Sequence, residues 1–198
     1  MIQEEITMVS KTMLAAVLLC AMGSATAKNI ALPDNVTLRP GNMSGDYIDA
    51  VTLSVPGASF SKLKLCLAQN VSNPAVSVTG GTDAPLAFRS NQQTQTTTVQ
   101  GGGIFKYEDA AAHTAIVMGS VDGGPAMMSR EIIRFELIAI AGDEGTSLKF
   151  NNIARATENT GVVSNAGFQP VGAWRGAKPL AVIDALSALG GRVGSCLR

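Results

Sequence analysis

The chain is poor in the residue types from which most catalytic and nucleic-acid-binding sites are assembled. It has one histidine, His113, and one tryptophan, Trp174, and aromatic residues make up only 5% of it. Neither charge is in excess, with 15 basic residues against 15 acidic ones, which argues against a nucleic-acid partner or an acidic membrane surface. A metal site wants several His, Cys or carboxylate ligands at close spacing. One histidine and three cysteines, Cys20, Cys66 and Cys196, do not supply that, so no metal and no cofactor is expected. No serine sits in a Gly-x-Ser-x-Gly setting, and Gly101-Gly-Gly103 lacks the strand–loop–helix context of a phosphate cradle.

What is present begins with a targeting signal. Lys11 precedes an apolar run from Met13 to Met22, and Ala25-Thr-Ala27 supplies small residues at a cleavage site. The run is about ten residues, where a membrane span needs about twenty, and no later segment reads as a span. Residues 1–27 are therefore expected to be a signal peptide, with translation starting at Met1 or Met8, and the product to be periplasmic or secreted. A lipoprotein through Cys20 is the competing reading. Leu19, where a small residue is normally wanted, counts against it. Cleavage removes one lysine and two glutamates, leaving 14 basic and 13 acidic residues. It also leaves Cys66 and Cys196, an even pair that in an oxidising compartment is a disulfide candidate, the alternative being two separately buried thiols.

Residues 28–45 are polar and punctuated by prolines, an extended leader. Residues 46–198 are expected to form one domain. Asp46 to Val55 alternates, with Val51, Leu53 and Val55 on one side, and reads as a half-buried strand. Ser59 can cap a helix to about Val71, with Phe60, Leu63, Leu67 and Val71 on one stripe. Residues 79–103 are an insertion rich in Gln, Thr and Gly, read as a solvated loop or hairpin tip, with Ala75 to Val78 as a short edge strand before it. Four strands follow: Ile104–Glu108, Thr114–Val121, Ile132–Ala141 and Ser147–Ala154, separated by Gly, Pro and Asp turns. Their alternation puts Phe105, Tyr107, Ile133, Phe135, Leu137, Leu148 and Phe150 on a strongly apolar face. A loop over 157–178 leads to Pro179, which opens a last helix with Val182, Leu186, Leu189, Val193 and Leu197 on its stripe. The sum is an α+β two-layer architecture: a curved antiparallel sheet with two helices packed on one face.

Val51-Thr-Leu-Ser-Val-Pro-Gly57 ahead of a helix, the segment Phe105 to Val121, and the strand pair Phe135–Ile138 with Leu148–Ile153 resemble an exported bacterial domain family of unknown function with a TATA-binding-protein-like fold. The likeness spans roughly Val51 to Ala156, without the insertion. It departs where a tryptophan often follows the first helix and where a basic-aromatic pair usually opens the last strand. The resemblance implies a fold and an exported location. It brings no catalytic residue, and the fold name does not imply DNA binding.

Two surfaces are candidates for function. One is the sheet's second face, where alternation puts Ile116, Met118, Ile138 and Ile140 among Lys106, Arg134 and Lys149. The other is the loop carrying Phe168 and Trp174, read either as a lid over the core or as a binding edge. The expectation is a non-enzymatic exported module that binds a protein, an envelope component or a small apolar ligand, with the second face also able to serve a homodimer. Two rivals stand beside it. One is an inhibitor of a hydrolase such as a lysozyme or protease; the other is a hydrolase using Ser59/Lys62 or Ser61/Lys64 at Ser-x-x-Lys spacing.

Overall fold

The structure is a computed structural model that describes residues 30–41, 45–79, 96–126, 129–158 and 167–198. The expected signal peptide and most of the Gln/Thr-rich insertion lie outside the described residues. The elements are β1 (Val36–Arg39), β2 (Tyr47–Val55), α1 (Phe60–Asn70), β3 (Val76–Thr79), β4 (Thr96–Val99), β5 (Phe105–Asp109), β6 (Thr114–Ala126), β7 (Ser129–Ile140), β8 (Thr146–Thr157), β9 (Gln169–Pro170) and α2 (Pro179–Leu197). The main sheet has seven strands, all paired antiparallel, in the order β1-β2-β8-β7-β6-β5, with β9 on the far half of β8. Strands β3 and β4 form a separate two-stranded ribbon.

Both helices lie on one face. Strand β7 shows why: Ile133, Phe135, Leu137 and Ala139 are buried in turn, and β8 adds Leu148 and Phe150 to the same layer. Leu63 and Leu67 of α1 and Val182, Leu186, Leu189 and Val193 of α2 close over them. Burying each such side chain contributes roughly 1.5–3 kcal/mol, which is why an apolar stripe and an apolar sheet face find each other. By length and composition α2 could cross a membrane. Here its apolar stripe faces the sheet, and Cys66 of α1 is bonded to Cys196 of α2 across a sequence separation of 130 residues.

The glycine pair in α2 divides its roles. Gly190 is buried, and a Cβ there would meet the Leu53 Cδ1 atom, so a side chain at this position would make the Leu53 methyl shift. Gly191 faces open space, and the helix continues through both.

Two irregularities shift the alternation. In β8 the register against β7 slips between Arg134 and Glu136, and Asn152 takes up the extra residue at φ 50°, a left-handed conformation that asparagine tolerates better than most. The slip returns Ile153 to the helix-covered layer. In β5 the register slips between Phe105 and Tyr107, leaving Lys106 as the extra residue. Phe105 packs on the helix side. Tyr107 pairs with Ile116 on the other face, which corrects the expectation that the two aromatics share a face.

Of the two readings of the insertion, the described residues at its ends fit the arms of a hairpin and not a solvated loop. Threonine-rich β4 pairs residue for residue with β3, and Val76 and Val99 pack with Ile132, Ala156 and Phe168 in a second, smaller cluster. Thr-Thr-Thr-Val is a β-favouring run despite its polarity, since β-branched side chains fit a pleated surface. Ile132 belongs to the face away from the helices, so the ribbon covers part of that face.

Candidate docking surface

The second face of the sheet is read off the register. Ile116 pairs with Ile138, Ile138 with Lys149 and Lys149 with Thr52, while Tyr107 pairs with Ile116, so one row runs across five strands. The adjacent rows carry Thr114, Ile140 and Ser147 on one side, and Met118, Glu136 and Asn151 on the other. No helix among the described residues packs on this side. At one end of the strands the β3–β4 ribbon and Phe168 cover Ile132 and Ala156. The Arg134 guanidinium lies 5.0 Å from the Phe168 ring centroid and marks the border. Beyond that border Tyr107 is 52% exposed, Met118 37% and Ile140 44%, with Ile116 and Ile138 half-buried between them. Apolar side chains on three adjacent strands thus form one contiguous exposed patch.

Charge frames the patch without breaking it. Lys106 donates to Glu136 at 2.6 Å, pairing off the two ions nearest the middle. At the β5 edge Asp109 accepts from the backbone N–H groups of Ala112 and Ala111 at 2.9 Å and from the Tyr107 hydroxyl at 3.3 Å. The Ala112 N–H holds the Asp109 carboxyl below its usual range, helped by Ala111 and Tyr107 and opposed by some desolvation, so it stays anionic. On β8, Lys149 is exposed and forms no ion pair among the described residues.

The expected site residues therefore separate into three places. Ile116, Met118 and Ile138 share the open patch. Arg134 and Phe168 meet at its border. Trp174 lies elsewhere, edge-on to Tyr47 at 5.5 Å and across Gly172, where a Cβ would collide with its indole. The segment from Gln169 to Gly172 sits in a fork between β2 and β8: Ile48 N–H donates to Val171 O at 2.9 Å, and Pro170 pairs with Ala154. Val171 and Ala173 are fully buried. Tyr107 was absent from the expected surface, which did include Ile140. Ile140 was legible in the alternation of β7, whereas nothing in the local pattern signals the bulge that turns Tyr107 over.

The chemistry sought in the sequence is arranged for structure. Ser59 caps α1, its Oγ accepting from Lys62 N at 3.3 Å. Lys62 Nζ donates to the Leu197 and Arg198 carbonyls at the end of α2, at 2.7 and 3.1 Å, meeting the orphan acceptors of that terminus. Lys64 pairs with Glu108 of β5 at 2.8 Å. His113 sits at the β5–β6 turn at φ 49°, its ring stacked on Phe60 at 6.2 Å. A cleft of about 460 Å³ gathers Ser59, His113 and Asp143, but no hydrogen bond joins any two of them among the described residues. No cluster of three metal-ligating side chains occurs among the described residues.

No family model matches this chain, and no curated protein matches it. Among solved structures, a DUF4468 family protein from Bacteroides ovatus ATCC 8483 is similar at 9% identity and a TM-score of 0.43, over 89% of this chain and 91% of that one. A likeness at that level carries no argument about function.

Proposed function

We propose that this chain is an exported, non-enzymatic binding module, periplasmic or envelope-associated, that docks a protein partner through the open half of its second sheet face. The observation that carries the reading is the contiguous patch of Tyr107, Ile116, Met118, Ile138 and Ile140, which no described residue covers, whereas the apolar residues Ile132 and Ala156 of the same face lie under the ribbon. A contiguous exposed apolar patch rimmed by polar residues marks an interaction site, and aromatic residues and methionine are enriched where proteins meet. The engagement of Lys62 and Lys64 away from the serines supports a non-enzymatic role. Export rests on residues 1–27 and on the family resemblance, with its TATA-binding-protein-like arrangement of sheet and helices.

A hydrophobic dye such as 8-anilinonaphthalene-1-sulfonate tests the face. Saturable binding to the folded protein, lost in Ile138→Lys and kept in Trp174→Phe, is the expected result. Dye binding that is absent, or indifferent to Ile138→Lys, would remove the reading. Cell fractionation with mass measurement tests export: a periplasmic or secreted product cleaved near Ala27 is expected, and an uncleaved cytoplasmic product contradicts it.

A further inference from the structure

We infer that the partner this face accepts is a second copy of this chain, docked sheet to sheet about a twofold axis. The inference rests on the docking-face reading above and adds the identity of the occupant. Two facts carry it: one twofold operation sets isoleucine on isoleucine at the centre of the patch, and the charges at its ends are of opposite sign.

Consider a twofold axis that lies between the two sheets, runs along the strands and passes between β6 and β7. It sets β6 over the second copy's β7, and β5 over its β8. Ile116 and Ile138 are register partners across β6 and β7, so the operation places Ile116 of one copy over Ile138 of the other, twice. Thr114 and Ile140 are matched in the same way in the next row. Such a contact is isologous, the same patch serving both copies, and aligned sheets pack with strands within about 30° of each other.

The charges obey the same operation. Asp109 lies at the β5 edge, one row from Tyr107. Lys149 lies on β8, in the row of Ile138. With β5 over the second copy's β8, each Asp109 approaches Ser147, and Lys149 two residues along the same strand reaches it with its long stem. Both Asp109–Lys149 contacts form at once. A twofold axis running across the strands would instead set β5 over β5 and β8 over β8, like charges together, so the charges select the axis along the strands. Lys106 and Glu136 neutralise each other within one chain, so the operation lays a closed ion pair and no lone charge over Met118, at some desolvation cost that keeps the association weak.

Sedimentation equilibrium of the purified protein over a broad concentration range is the test. A reversible dimer is expected, weak because the patch is small, in about the micromolar to millimolar range. Lys149→Glu, an exposed change that leaves the fold intact, should weaken it about tenfold by turning two attractions into two repulsions. Ile138→Lys should abolish it with the thermal unfolding of the dilute protein little changed. Two results overturn the inference: a monomer at about 1 mM, or a dimer indifferent to both substitutions. In the first case, dye binding that is still lost in Ile138→Lys leaves the docking face standing with a different partner. Dye binding that is also indifferent takes both readings down together.

Discussion

Ile132 and Ile140 lie on the same strand and the same face, yet the first is 9% exposed and the second 44%. The β3–β4 ribbon with Phe168 lies over one, and none of the described residues lies over the other. An antiparallel sheet with helices on a single side can leave its second face to water, and a face meant for water carries polar residues there. The covered half is apolar because the chain covers it. The open half, with Tyr107, Ile116, Met118, Ile138 and Ile140, is apolar with no cover from the described residues. That difference within one face is the reason to treat the open half as a docking surface.

Substitutions that separate folding from docking sharpen the comparison. The largest effect is expected on the helix side, where Phe150 is fully buried and meets Phe135 edge-on at 5.2 Å. Phe150→Ala should cost about 3–5 kcal/mol in denaturant unfolding. Breaking the Cys66–Cys196 bond by a double serine substitution should cost about 2–5 kcal/mol, since it releases a closed loop of some 130 residues. Ile132→Ala, under the ribbon, is expected at about 2 kcal/mol, the low end for buried isoleucine, because its cluster is small. Ile140→Ala on the open half should change stability by less than about 0.5 kcal/mol. Equal losses at Ile132 and Ile140 would erase the distinction between the halves.

The smallest effect concerns acid. The folded-state pKa of Asp109 is depressed, so its contribution is fully present above the ordinary carboxyl value of 3.8 and is lost as pH falls through the lower folded value. Asp109→Asn keeps an acceptor for the turn but cannot titrate. The stability of that variant should therefore fall less steeply than the parent's on acidification below about pH 4. Parallel acid limbs would show that this carboxylate is not engaged as described.

Much of the fold was legible because long strands with strict alternation announce themselves. The four-strand meander, the Ser59-capped helix and the Pro179-led helix all occur where periodicity and capping put them. Half of the ribbon was legible: β3 falls on the short edge strand read at Ala75 to Val78, whereas β4 was not read, because a Thr-rich strand carries one apolar side chain, Val99, and its pairing depends on residues some twenty positions away. The candidate surface was half legible. Ile116, Met118, Ile138 and Ile140 fall together by period two, a property of straight strands. Tyr107 was assigned to the wrong face because a bulge at Lys106 resets the period, and a bulge is fixed by cross-strand register, which no local window contains. Trp174 drew attention as the only tryptophan, yet it packs against Gly172 and Tyr47 in the fork between β2 and β8.

Met118 is the natural reporter, since its thioether lies in the open patch and oxidises at a rate set by access to solvent. The direct measurement is its rate of oxidation by dilute peroxide, followed by peptide mass spectrometry in dilute and concentrated protein. The rate should fall as concentration rises in the parent chain and stay at its dilute value throughout in Ile138→Lys. A Met118 rate independent of concentration in the parent, or equally slowed in Ile138→Lys, would contradict docking of a second copy through this face.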